Sequence, residues 1–250
     1  VLLVLRLVLV PILIAAVTLA TRRWGQRVGA FVTALPVVAG PTLAFYAVQQ
    51  GRLFAADAAR GSLLGLVGVA AFCLTYARAS TRQHWAACLL IGWISSAVVT
   101  VLIVPVDVGP VAAFSIAVAA LIGARQAFPS PKSAPPLAGT PRWDLPLRMT
   151  SAGALVFALT SAAERLGSSV SGILTPFPVV TAILAGFTHA QRGSAASVEF
   201  LRAYVPGLCG FAVFCLTLAL TLPRLPIAWS FAVALVSQLV LQTLLFRRVS

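Results

Sequence analysis

Charge is what this sequence has least of. Charged residues make up 9% of the 250-residue chain, and only 5 of them are acidic. A soluble domain carries about 25% charged residues, so this chain has too little polar surface to cover itself in water. Lysine is almost missing as well, with Lys132 alone among 18 basic residues. The two histidines, His84 and His189, are far apart in sequence and pair with no cysteine at metal-ligand spacing. There is no HExxH, no glycine loop leading into lysine, and no nucleophile with a nearby base. The acids are too few and too peripheral for paired-carboxylate hydrolysis. The chain is therefore read as a protein without metal or cofactor, and as no enzyme. Its four cysteines, Cys73, Cys88, Cys209 and Cys215, all lie inside apolar runs. They read as small buried hydrophobes, not as a disulfide framework.

What is present in excess is apolar sequence. Hydrophobic residues make up 60% of the chain and the mean hydropathy is +1.01. The formal charge of +13 would suggest nucleic acid in a soluble protein. Here the arginines sit at the ends of apolar runs, as membrane topology requires, so the bilayer is the expected partner and nucleic acid is not. A bilayer core about 30 Å thick takes about 17–25 apolar residues per helix. Runs of that size fall near 1–21, 27–49, 58–77, 85–104, 108–124, 145–163, 168–190, 203–222 and 226–246. Residues 1–20 resemble a signal peptide in length, but their charges (Arg22, Arg23, Arg27) follow the run. That segment is expected to be a structural helix.

Nine spans with the N-terminus outside put 13 basic residues inside and leave Arg6, Arg52, Arg60, Arg165 and Arg224 outside. If the fifth run did not cross, the bias would weaken, so nine crossings fit the positive-inside rule best. A bacterial inner membrane is the expected location, with a cytoplasmic C-terminus. Homo-oligomerisation is compatible with this reading.

The chain also writes itself twice. At one offset of 142 residues, Gly25, Val28, Thr33, Pro36, Val37, Val38, Phe45, Gln49 and Gly51 fall on Gly167, Val170, Thr175, Pro178, Val179, Val180, Phe187, Gln191 and Gly193. The register extends upstream to Arg6 and Arg148, and downstream to the Phe-Cys-Leu-Thr runs beginning at Phe72 and Phe214. A repeat at fixed period decides the architecture. The expected organisation is repeat one over 1–104, a connector span over 105–125, a Pro/Ser-rich cytoplasmic linker over 126–144, and repeat two over 145–250. Repeat two starts five spans after repeat one, hence from the opposite side. The expected fold is an all-α integral membrane protein of nine transmembrane helices, with two inverted-topology four-helix repeats joined by a connector helix.

Thr33-Ala34-Leu35-Pro36 and Thr175-Pro176-Phe177-Pro178 are matched helix interruptions. Counting from Gly25, Pro36 lies about 16 Å along the helix at 1.5 Å per residue, near mid-bilayer. Proline there frees a carbonyl and bends the helix, and Gly40-Pro41 is expected to lengthen the irregular stretch. Thr33, Pro36, Gly40, Thr175 and Pro178 are therefore the candidate substrate-binding residues. The competing reading is a packing kink, with each threonine bonded back to its own helix.

Asp57 and Glu199 are equivalent, each followed by an arginine, Arg60 and Arg202. These four could couple transport to an ion, or be i,i+3 pairs at helix starts. Arg6 and Arg148 are expected to snorkel to the headgroups. Gln49 and Gln191 are expected to close their helices ahead of Gly51 and Gly193.

At WGQRVGAFVTALPVVAGP and LGSSVSGILTPFPVV the chain resembles a group of uncharacterised bacterial multi-spanning membrane proteins. Each half is similar in size and layout to the small four-helix proteins called GlpM-like. Repeat two departs from the motif, with Phe177 before Pro178 and no counterpart to Gly40-Pro41. The inverted halves are also similar in architecture alone to the drug/metabolite transporter superfamily, and that likeness supplies no substrate. The function expected from these readings is small-molecule transport or export by alternating access. The alternative is a non-transporting scaffold or lipid-interacting protein.

Overall fold

The structure is a computed structural model that describes residues 2–103, 105–130, 143–166 and 178–249. Among the described residues every regular element is a helix: α1 (Leu2–Trp24), α2 (Gln26–Thr33), α3 (Ala39–Gln49), α4 (Arg52–Ala79), α5 (Trp85–Ile103), α6 (Pro110–Gln126), α7 (Asp144–Leu166), α8 (Val179–Thr221) and α9 (Ile227–Val249). Five stretches within these helices are long and apolar enough to cross a bilayer: Leu7–Trp24, Arg52–Ala79, Trp85–Ile103, Val179–Thr221 and Ile227–Leu245. Helix α6 is apolar but shorter. Of the expected linker over 126–144, residues 131–142 lie outside the described residues.

Three glycines set how the helices are joined. Gly25, Gly51 and Gly193 have φ of 90°, 94° and 81° with ψ of 173°, 162° and 175°. Only glycine is at ease in that region of backbone space, so a helix can end and the next begin within one or two residues. At Gly25 the chain turns so sharply that a Cβ on Gly29 would lie on the Thr21 hydroxyl. At Gly51 the ring of Tyr46 meets that of Phe54 edge-on at 5.3 Å. At Gly193 the 43 residues of α8 fold back, because Ser197 Oγ donates to Ala185 O at 3.2 Å. In one straight helix those residues would stand about 18 Å apart. Replacing Gly51 by alanine is expected to cost about 1–3 kcal/mol. Gly61→Ala, at a helical site with open space around its Cβ position, should stabilise by up to about 1 kcal/mol. Unfolding of the two variants in detergent, measured side by side, checks the contrast.

The core is built on α4 and α8. Helix α4 packs against α3, α5, α6 and α8, and α8 also touches α2, α7 and α9. Their buried surfaces carry small residues, among them Ala55, Ala59, Gly65, Gly68, Gly207 and Gly210, so neighbouring backbones come close. A Cβ on Gly207 would sit 2.6 Å from Ala34 Cβ.

The outer helices are apolar on the wrong face for water. Helix α5 buries Cys88, Gly92, Ser96 and Thr100 while exposing Leu90, Ile94, Val98 and Leu102. Helix α9 buries Ser230, Ala234, Gln238 and Gln242 and exposes Trp229, Val233, Val236 and Val240. Both buried stripes run at i+4 spacing along one helix face, and they are 142 residues apart position for position. Their neighbours also correspond. A Cβ on Gly68 would meet Thr100 and Ser96, and one on Gly210 would meet Gln242 and Gln238. Long apolar side chains outside and small polar ones inside define a helix bundle whose solvent is lipid.

Candidate functional site

Two polar places interrupt this apolar bundle. The first is the break between α2 and α3. Residues 34–38 leave the helix around Pro36, which cannot donate to the ladder. Thr33 lies at its edge, buried, with its hydroxyl donating to Gly29 O at 2.7 Å. The loosened carbonyls are reached from α9: Gln238 Nε2 donates to Ala34 O at 3.0 Å, and Gln242 Nε2 to Phe31 O at 2.7 Å. Gln238 Nε2 also approaches Gln242 Oε1 at 3.3 Å. Two carboxamides thus take the place that water would hold in a soluble protein, as a backbone break inside a bilayer requires.

The expectation for Gly40-Pro41 needs correction. Both residues belong to the first turns of α3, and Gly40 N donates to Pro36 O at 2.7 Å. Proline is tolerated there because the first helical N–H groups have no intrahelical acceptor, so the irregular stretch ends sooner than expected. Pro178 caps the start of α8 with φ −79° and its carbonyl accepts from Ala182 N. Thr175 lies outside the described residues.

The second polar place is a buried cluster of charge. Asp144 opens α7, and its carboxylate is fully buried. Arg22 Nη2 at the end of α1 donates to Asp144 Oδ2 at 2.6 Å, and Arg148 Nε donates to Oδ1 at 2.8 Å. Gln191 Nε2 also donates to Oδ1, the third donor to this carboxylate, and Gln191 Oε1 accepts from Arg148 Nη2 at 3.0 Å. The Arg148 guanidinium also lies over the Phe187 ring, 5.0 Å from its centroid. Burial pushes the Asp144 carboxyl up, but the bonds from Gln191, Arg148 and Arg22 outweigh it and hold the group below the usual carboxylate range. A small cavity, with about 30 Å³ of room for water, opens beside the cluster. Val17, Thr18, Thr21, Leu184, Thr188, Arg192 and Phe200 complete its lining.

Two sequence expectations change here. Arg148 does not snorkel; it is buried and paired, because Asp144 one turn earlier gives it a partner at i−4. Gln191 closes its helical stretch just ahead of the Gly193 turn, as expected, and both ends of its amide are spent on Asp144 and Arg148. Asp144 belongs to helix α7 and not to the linker. The side chain of Arg6, the equivalent of Arg148, lies outside the described residues.

The other matched group, Asp57, Arg60, Glu199 and Arg202, stays dispersed. Asp57 and Glu199 sit beyond the first turn after Gly51 and Gly193, so helix dipoles do not explain them. Arg60 comes within 3.8 Å of Asp57 but bonds better to Asp107, at 2.9 Å, and to Val108 O, at 3.0 Å. Asp57 and Asp107 are largely exposed. Arg202 donates to Pro129 O, and its own carbonyl accepts from Arg125.

Reading the sequence missed Asp144, Arg22, Gln238 and Gln242. Two signals were available. Asp144 and Arg148 have helical i,i+4 spacing. Gln238 and Gln242 are two polar residues at the same spacing inside an apolar run, where a polar side chain faces the protein interior.

No family model matches the chain, and no curated protein or solved structure does either. The fold and these two polar places define a class: an all-α protein embedded in a membrane, with a capped helix break and a buried ion cluster among its described residues.

Proposed function

We propose that this chain is a small-molecule transporter or exporter of the bacterial inner membrane, working by alternating access of two inverted repeats. The observation that carries the reading is the break at residues 34–38, where α9 side chains hold the loosened carbonyls. Those bonds are exchangeable. A ligand with donors of its own can take the carbonyls of Phe31 and Ala34 when Gln238 and Gln242 withdraw. Broken helices near the midplane are where secondary transporters place their sites.

The inverted arrangement has support of its own. Helices α1 and α7 are equivalent by the offset and run antiparallel, since Arg22 pairs with Asp144 while Gly153 lies beside Pro11. Helix α4 and the second half of α8 are likewise equivalent and opposed: Ala56 and Ala219 line one pocket, and Tyr76 bonds to the Ser197 side chain at the other end. An axis in the membrane plane produces this relation, and an axis along the normal does not.

Nine crossings are supported by where the arginines bond. Arg52 with Leu225 and Arg60 with Asp107 fall on the outer side, while Arg22 with Asp144, Arg78 with Ala127 and Arg148 with Gln191 fall on the inner side. If α6 did not cross, the bonds Arg22–Asp144, Arg52–Leu225 and Arg78–Ala127 would each join opposite faces of the membrane.

The test starts from a chain with Cys73, Cys88, Cys209 and Cys215 replaced. Single cysteines at positions 33 and 175 are then treated with an impermeant thiol reagent from either face. Labelling that shifts between faces with conditions is the expected result. If neither position labels from either face, the breaks are packing kinks. The second reading, a non-transporting scaffold, draws on the back-bonded Thr33 hydroxyl and the two capped carbonyls, which describe a packed centre. It predicts that second outcome.

A further inference from the structure

We propose that the cavity beside Asp144 is a binding site for a small monovalent inorganic anion of the chloride or nitrate class. This does not depend on the transport reading. The first observation is charge. Arg22 and Arg148 face one Asp144, so this part of the lining carries a surplus positive charge. A buried surplus charge is costly unless it is matched, and a mobile anion is the match that no residue of the cluster supplies.

The second observation is a set of donors without acceptors. Arg22 spends Nη2 on Asp144, but its Nε is buried and has no partner. The Thr18 hydroxyl, one turn before Arg22, is also buried and unpartnered. Thr33, Thr42, Thr75, Thr150 and Thr221 all donate to the carbonyl four residues back in their own helices. Thr18 does not, and it lines the cavity together with Arg22. A hydroxyl and a guanidinium N–H one helical turn apart lie on the same face of α1, where both can donate to one ion. Such charge-assisted bonds are the strong ones.

The third observation is size. About 30 Å³ of room exceeds the roughly 10–15 Å³ that one water needs, and suits a bare small anion.

The experiment uses the purified full chain in neutral detergent, with chloride replacing gluconate at constant ionic strength and pH. Thermal unfolding is the readout. A ligand bound only by the folded state raises Tm, so a rise of a few °C that saturates with chloride is expected. Thr18→Val should move the half-saturation point to roughly tenfold higher chloride, the cost of one bond to a charged group. Thr18→Ser, which keeps the hydroxyl, should restore it. Arg22→Lys keeps the charge but removes Nε–H, and should weaken the chloride effect if Thr18→Val does not fold. Arg60→Gln, at the other end of the bundle, should leave it unchanged. The proposal is overturned if chloride has no specific effect on the unaltered chain. It is also overturned if Thr18→Val and Arg22→Lys respond as the unaltered chain does, or if phosphate raises Tm where chloride does not.

Discussion

Asp144→Ala is expected to destabilise the protein by about 3–5 kcal/mol, the range for removing one partner of a buried ion pair. The carboxylate has no exposed surface and accepts from two guanidinium groups and one carboxamide. Without it, Arg148, itself 8% exposed, is left charged among helices with only Gln191 to bond. Arg22 is 29% exposed, so water relieves part of its loss, which favours the lower end of the range. Asp107→Ala is the control. That side chain is 93% exposed beside Arg60, and its removal should change stability by no more than about 0.5 kcal/mol. Unfolding by titrating a denaturing detergent into the folded chain reads both variants. Pairing Asp144→Ala with Arg148→Met should recover part of the loss, because an apolar residue in place of the stranded cation is tolerated. Equal effects from Asp144→Ala and Asp107→Ala would mean that the cluster is solvated and does not hold α1 to α7.

The second large effect is expected at α9. Replacing Gln238 and Gln242 together by leucine strands the Ala34 carbonyl in an apolar interior and leaves the Phe31 carbonyl with the 3.3 Å bond from Ala34 N. The orphaned acceptor costs about 1–3 kcal/mol. Gln238→Leu alone should cost more than Gln242→Leu, because Phe31 O keeps the Ala34 N–H while Ala34 O depends on Gln238. Hydrogen exchange at the α2 amides gives a second reading of the same event. Faster exchange confined to 26–39 in the double variant would locate the loss at the break. Uniform loosening across the bundle would argue against a local capping role.

The fold was legible where the sequence repeats a signal and illegible where a single residue decides. Apolar length and the arginines at run ends gave an all-helical membrane chain, and Pro36 marked the α2–α3 break. The matched glycines Gly51 and Gly193 both turn out to hold backbone that other residues avoid. Burial of charge could not be read in the same way. Asp144 follows a Pro/Ser-rich stretch and looks like linker until α1 brings Arg22 alongside it. That proximity comes from helix packing, which no local pattern encodes. The roles of Gln238 and Gln242 depend likewise on which helix lies across from them. At the offset of 142 residues the matching positions are Ser96 and Thr100, so neither shared identity nor shared length announced the pair.

The glycine turns have a mechanical consequence. With one or two residues between α1 and α2, between α3 and α4, and between the halves of α8, the chain has no slack at those ends. Neighbouring helices cannot slide past one another by a turn without breaking the backbone geometry at Gly25, Gly51 or Gly193. Helices joined at those glycines must therefore swing as stiff hairpins about them, and the break at 34–38 gives one such lever a joint along its own length.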